Sequence, residues 1–481
     1  MNFSRVEDHD IEYLNTLCPG RVYTGDAIHE DYTHDEMPEY GTRVPEAVVE
    51  ALTTDEVSRV VAYANERNIP VVPRGAGTGL CGGCVALYGG ILISTARMNK
   101  LLEIDEGNLC ARAQAGASLL DLIEEFAKHG LLYCPDPGEK SATLGGNIMT
   151  NAGGMRAVKY GVTKDHVLGM TCVLADGSVI EVGGRVAKNS SGYNLMGLFT
   201  GSEGTLCLLT EAIIRLTPLP PFTMSLLVPF DDINTCIETV PKVFQAKIIP
   251  TAIEFAQQEA VQLAEEYLGR TFPHKSAPAY LIFSFTGSSQ NELDGVYTRV
   301  ADICLSSGAI DVFISDTEER LESIWSPRGE FLEAIISSTD ELDECDVVVP
   351  RDRMADFIYF IEELKEKQDI RIVSFGHAGD GNLHVYVCRD GMEQGSYDKK
   401  VKYCMDAMYA KAKEFGGEVS GEHGIGHAKL GYLTRSLSGE LIQVMRDIKH
   451  ALDPKGILNP GKVVEMNDIV SPECAKQANG L

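Results

Sequence analysis

Positive charge is scarce in this sequence. Its 42 lysines and arginines face 70 aspartates and glutamates, a formal net charge of −28. Such a surface repels nucleic acid and anionic membranes, so neither is expected as a partner. An anionic substrate would need a local basic or metal-bearing pocket. Long apolar runs are also missing, and nothing approaches the roughly eighteen residues of a membrane helix. The opening "MNFSRVEDHDIEYL" is charged within its first turns and lacks the apolar core of a secretion signal. A cytoplasmic protein without direct membrane insertion is expected. Absent too is any Cys-x-x-Cys-x-x-Cys run, which excludes an iron–sulfur cluster of the usual kind. The 13 cysteines, from Cys18 to Cys474, show no framework spacing, so free and mostly buried thiols are expected. The Cys-x-x-Cys pair, Cys81 and Cys84, lies in a glycine-rich loop and not at a helix start, which favours inert thiols over a redox dithiol.

What is present is ordinary core-forming material, with 44% hydrophobic residues in a chain of 481, enough for two or three domains. Thr53 and Glu56 form a capping box opening a helix whose buried face carries Val57, Val60, Val61 and Ala64. A buried strand, "IPVVP", leads into "RGAGTGLCGG", and "GGILIST" reads as the next strand. Short strands and helices punctuated by glycine continue to about residue 215, with "TCVLADGSVIEVGG" a hairpin around Asp176 and Gly177. "TPLPPF" (217–222) marks a domain boundary. Beyond it "MSLLVPF", "AYLIFSF", "CDVVVP", "IRIVSF" and "HVYV" alternate with helical stretches such as 354–367, which predicts an antiparallel sheet covered by helices on one face. The closing "LDPKGILNPGKVV" is expected as an ordered surface coil.

Two features carry chemistry. "FGHAGDGNLHVYV" (375–387) centres on Asp380-Gly381, a strong signal for a two-residue hairpin turn. Counting outward pairs Gly379 with Asn382, Ala378 with Leu383 and His377 with His384, so two imidazoles would share one face. They could share a metal ion or be plain hydrogen-bonded sheet residues. The second feature is glycine. "RGAGTGLCGG" holds a formal G-x-G-x-x-G at Gly77, Gly79 and Gly82, but the loop runs into another strand, so the dinucleotide fingerprint fails for want of a helix. Led by Arg74, the loop can still wrap a pyrophosphate through backbone N–H groups. Residues 135–169 and "GYNLMGLFTGSEGTL" (192–206) add two more glycine-dense segments, and together the three look like a ligand wrapped along its length.

These segments, with "GHAGDGNLH" and "GEHGIG", resemble the FAD-linked D-2-hydroxyacid dehydrogenases, which include D-lactate dehydrogenases and the catalytic subunit of glycolate oxidase, within the vanillyl-alcohol-oxidase type of flavin fold. The resemblance spans residue 45 to "LNPGKV" at 459–463. It implies an α+β protein: an N-terminal segment (1–44), a two-lobed FAD-binding domain (45–218), an antiparallel-sheet substrate and metal domain (219–465), and a tail (466–481). It implies non-covalent FAD held by Pro73, Arg74, Gly75, Ala76, Gly77, Thr78, Gly79 and Gly82 at the pyrophosphate. Along the isoalloxazine and ribityl chain it implies Pro135, Asp136, Ser141, Gly145, Gly146, Asn151, Gly153 and Gly154. Gly201, Glu203, Gly204 and Asn459 complete that set.

In "SGEHGIG" (420–426), Glu422 and His423 lie between glycines that argue for a turn, so both could reach the site of the histidines. Two imidazoles and one carboxylate suit Zn2+, Fe2+ or Mn2+ with positions left open for substrate. By the resemblance, His377, His384 and Glu422 are the metal ligands and His423 the base, taking the hydroxyl proton while hydride leaves Cα for flavin N5. Arg328 in "WSPRGEF" matches the arginine that clamps the substrate carboxylate, and Asn382 either contacts substrate or serves the turn. Where the 2-hydroxyglutarate branch has a lysine, this chain has Glu344, which would repel a second carboxylate. A small monocarboxylate is expected, lactate over glycolate. The reduced flavin would pass electrons to an electron-transferring flavoprotein, or to an iron–sulfur subunit leading to quinone. Two other classes stay open: a flavin-free metallohydrolase, which would purify colourless, and a flavin-binding subunit without turnover.

Overall fold

The computed structural model describes residues 3–274 and 276–466, so the expected tail lies outside the described residues from 467 onward. The chain forms two compact units. One comprises Met1–Ala152, Val162–Leu219 and Glu422–Leu481, and the other Gly153–Gly161 and Pro220–Gly421. These units depart from a linear division near 218 in two places, and hydrogen bonds explain both. Residues after Glu422 join the first unit because Glu203 accepts from Ile425 and Gly426 N–H, and because Val71 exchanges bonds of 2.8 and 2.7 Å with Ile457 and Asn459. Residues 153–161 join the second, where Lys159 Nζ donates to Thr286 Oγ1 at 2.9 Å.

In the first unit Ala47–Glu50, Ile91–Ser94 and Val71–Arg74 pair in parallel, with Val22–Tyr23 antiparallel at the edge. The helix Thr54–Arg67 buries Val57, Val60, Val61 and Ala64 against them, as the periodicity predicts. Thr53 Oγ1 accepts the Glu56 N–H at 3.2 Å, and the Glu56 carboxylate turns to Arg21 and Leu52. A second sheet is antiparallel, ordered Leu101–Asp105, Cys110–Gln114, Leu208–Arg215, Val167–Val173, Val179–Gly183. Its last two strands are the predicted hairpin, turning through Gly177 at φ +84°. The closing segment is no surface coil: Ile457 and Leu458 are fully buried in the core beside Val71 and Ile91, because their apolar side chains find room there.

The second unit is built on seven antiparallel strands, ordered Phe313–Ser315, Phe222–Phe230, Ala279–Gly287, Ala252–Gln257, Ile372–His377, Asn382–Cys388, Leu342–Val348. The antiparallel sheet is the expected one, and its middle is buried on both faces. Every residue of Ala252–Gln257, Ile372–His377 and Asn382–Cys388 is buried, so neither face is open there. Among the described residues no helix is long and apolar enough to cross a membrane, and no cysteine forms a disulfide.

The hairpin register also differs from the count made on sequence. His377 pairs with Asn382, and His384 with Phe375. The turn is longer than two residues: Asp380 and Gly381 N–H both point to His377 O, at 3.2 and 3.0 Å. Of the two, only Gly381 takes positive φ, +87°, whereas a two-residue type I′ turn needs it at both positions. The displacement is two residues, and side chains alternate with a period of two, so both imidazoles keep the same face as diagonal neighbours. Their ring centroids lie 5.3 Å apart at 89°.

Candidate active site

The first unit brings its glycine segments together through main chain. A Cβ on Gly75 would lie 2.2 Å from Thr143 Oγ1, and one on Gly204 (φ +73°) would lie 2.3 Å from Pro73 Cγ. Gly145 packs so tightly on Ala115 that a Cβ would come within 2.7 Å. Asn459 ties the first and third segments, its Nδ2 donating to Gly83 O at 2.9 Å and Glu203 O at 2.7 Å. Arg74 is anchored by His34 O at 2.5 Å and Cys84 Sγ at 3.0 Å, beneath the Tyr32 ring. A cavity of about 480 Å³ opens against Arg74, Gly75 and Ala76, walled by Tyr23, Tyr32 and Glu50. Close-packed glycine backbone around an arginine fits an extended, phosphate-bearing cofactor.

The other expected cofactor residues divide. Gly77 and Gly82 take φ +89° and +67°, and Gly82 N–H donates to Asp35 Oδ2 at 2.6 Å. Asp136 is held by Lys140 at 2.5 Å, and Asn151 caps its helix and accepts from Lys164 N–H at 2.9 Å. Gly153 and Gly154 belong to the second unit. The Glu203 side chain, expected at the cofactor, is engaged by Ile425 and Gly426.

In the second unit the strand registers lay out a grid on one sheet face. Glu254, His377, Asn382 and Val348 form one row; Ala256, Phe375, His384 and Asp346 the next; Val373, Tyr386 and Glu344 a third. At its corner is an acid the sequence reading missed. Glu254, fully buried, lies 2.9 Å from His377 Nδ1 through each carboxylate oxygen and accepts from Arg328 Nε and Nη2 at 2.9 and 2.5 Å. Burial alone would raise its pKa, but His377 and Arg328 outweigh that and hold the carboxyl below its ordinary range. Arg328 comes from the helix Glu318–Gly329, and its guanidinium lies 4.8 Å over Phe375 and 5.5 Å from the Phe331 ring centre. The only signal for Glu254 was a charge inside the apolar run "TAIEFAQ".

Asn382 does not reach outward to donate. Its Nδ2 donates to Asp346 Oδ1 at 2.8 Å and Val347 O at 3.0 Å. His384 Nδ1 lies 3.9 Å from Asp346 Oδ1 and 4.0 Å from Glu344 Oε1, and Glu344 accepts the Tyr386 hydroxyl at 2.9 Å. Asp346 Oδ2 also takes the Ser420 hydroxyl and Gly421 N–H, at 2.8 and 3.1 Å. The chain leaves the second unit at that point. Glu422 and His423 follow as the first residues of the returning segment, 3.7 Å apart at their nearest charged atoms.

A glycine cradle that fits a phosphate-bearing cofactor and a sheet face pairing imidazoles with an arginine suit a cofactor-dependent enzyme, and the comparisons give its class as an oxidoreductase. Residues 45–194 match the FAD binding domain family and residues 219–463 the FAD linked oxidases, C-terminal domain. The chain therefore belongs to the FAD-linked oxidases, as a flavoprotein with FAD as its cofactor. It is 47% identical to a D-lactate dehydrogenase of Anaerostipes hadrus over 466 residues, 96% of this chain and 98% of the relative. It is 40% identical to the glycolate oxidase subunit GlcD of Bacillus subtilis, over 90% of this chain and 91% of that one. In fold it matches p-cresol methylhydroxylase at a TM-score of 0.77 and 18% identity, covering 96% of this chain and 97% of that one. The α+β flavin fold expected from sequence is borne out, and the flavin-free metallohydrolase is excluded.

Proposed function

We propose that this chain is a cytoplasmic D-lactate dehydrogenase that forms pyruvate and passes electrons to a partner protein. The observation that carries the reading is the single buried Glu254 carboxylate, which holds Arg328 and His377 side by side. A guanidinium fixed along its Nε–Nη2 edge presents the other edge to a substrate carboxylate in forked geometry. With Glu254 accepting from Nδ1–H, His377 would be held in the tautomer that offers Nε2 to a cation. His377, His384 and Glu422 would hold one divalent cation, and imidazole with carboxylate donors suits Fe2+, Zn2+ or Mn2+. When bound, FAD supplies the hydride acceptor and the cation a Lewis acid for the hydroxyl. His423 takes the hydroxyl proton.

Glu344 supports a small monocarboxylate, since a carboxylate on the imidazole face disfavours a second one on the substrate. The identity to a D-lactate dehydrogenase supports lactate and the D-isomer. The likeness to glycolate oxidase subunits supports work within a multi-subunit assembly. It also favours a second reading, a glycolate oxidase catalytic subunit feeding an iron–sulfur subunit and quinone; the first reading takes an electron-transferring flavoprotein as partner. An anaerobic titration of the purified yellow protein decides the substrate. D-lactate should bleach the flavin band while L-lactate leaves it unchanged. Bleaching by glycolate with no response to D-lactate would select the second reading.

A further inference from the structure

"GEHGIG" is shaped by an acid two hundred residues upstream. Gly424 and Gly426 take φ +83° and +50°, left-handed conformations that turn the intervening N–H groups inward. The concavity is filled by the Glu203 carboxylate, Oε1 accepting from Ile425 N–H at 2.7 Å and Oε2 from Gly426 N–H at 2.8 Å. This is an anion nest whose anion belongs to the protein itself. Neither glycine can carry a side chain there: a Cβ on Gly424 would lie 2.9 Å from Glu203 Oε1, and one on Gly426 would lie 1.9 Å from Cys81 O.

Glu203 is itself held in an unusual state. Its backbone sits at φ +51°, in the region non-glycine residues rarely occupy. Met149 O takes its N–H at 2.8 Å, and Asn459 Nδ2 reaches its carbonyl at 2.7 Å. The residue after it, Gly204, is wedged on Pro73. A strained, over-determined carboxylate on a cofactor loop, aimed at the segment that follows Glu422 and His423, needs a reason.

We propose that Glu203 is a positioning residue for His423: it clamps the backbone two and three residues beyond the histidine and so fixes how the ring is presented from the glycine loops. The inference rests on the reading of His423 as the base. Glu203 touches no reacting atom. It replaces the freedom of a loop with three glycines by two hydrogen bonds to one buried side chain. Both carboxyl oxygens serve as acceptors, whereas an amide would set its own N–H groups against one of the two donors.

The test uses FAD-loaded Glu203→Gln, with Gly424→Ala as a second variant that disturbs the nest from its other side. Peptides covering 422–428 should lose amide hydrogen-exchange protection while flavin content stays at the wild-type level. The limiting rate of anaerobic flavin reduction by D-lactate should fall ~10- to 100-fold, as a misplacement of about an ångström does, with the substrate Kd from the same titration unchanged within about threefold. On a His423→Ala background, Glu203→Gln should have little further effect. Unchanged exchange and rate in both variants would overturn the proposal, as would an equal rate loss with and without His423. If Glu203→Gln fails to fold, the same readouts on Gly424→Ala decide. Should His423→Ala alone leave the rate intact, the base assignment fails, and the exchange readout still reports whether the clamp exists.

Discussion

The two units are assembled from different materials at their candidate sites. In the first, the cradle is main chain, and its glycines are defined by what cannot be added to them: beside Gly75, Gly145 and Gly204 a single methyl would collide. In the second, the candidate groups are side chains on strands, and each is held by another side chain far away in sequence. Glu254 is 123 residues from His377 and 74 from Arg328. A backbone cradle is broken by adding an atom; a side-chain grid is broken by removing a charge.

That contrast can be broken at several points. The largest effect should come from His423→Ala, with the flavin reduction rate falling ~10²- to 10⁴-fold, the usual contribution of a general base, and FAD content unchanged. Next, Glu254→Gln should weaken binding of Zn2+ to the purified protein ~10- to 100-fold, read by competition with a chromophoric chelator, and raise the KM for D-lactate. Unaltered metal affinity would show that the grid does not need the Glu254 charge. Gly204→Ala places a side chain at φ +73° against a proline ring. It should weaken FAD retention about tenfold, roughly the 1–2 kcal/mol of a left-handed non-glycine residue, measured as flavin per protein after gel filtration.

A last effect, on stability alone, tests whether the cradle also leans on a side chain. Burial raises the Asp35 carboxyl from 3.8 to about 6, against the pull of Met37 and Gly82 N–H. Between those values the folded state keeps a proton that the unfolded chain has released. The contribution is therefore full below pH 3.8 and lost as pH rises through about 6. Urea unfolding of Asp35→Asn should show a flatter dependence across that window, by ~2 kcal/mol. Identical slopes in variant and wild type would mean that the carboxyl titrates as if exposed.

Much of this was legible beforehand because glycine and histidine advertise themselves. The cradle announces itself as clustered glycines, and the helix from Thr54 by its buried valines, since both are local in sequence. The failures were non-local. Glu254 acquires meaning only when three strands and a helix converge, and nothing within ten residues of it points to His377. "ILN" near the chain's end reads as coil by its prolines and glycines, yet its apolar pair completes a core begun at Val71. The turn at Asp380 was misread because dipeptide preference was allowed to fix a register that the neighbouring strands determine.

That misreading was harmless for a reason with consequences for how such a chain can vary. A slip of the Asn382–Cys388 strand by two residues would carry His384 along the sheet and leave it on the His377 face. A change of one residue would turn it through the sheet into the opposite core. Because the outer strands pin both arms of the hairpin, its tip can change length without moving either histidine, and what must be guarded is the pairing behind it.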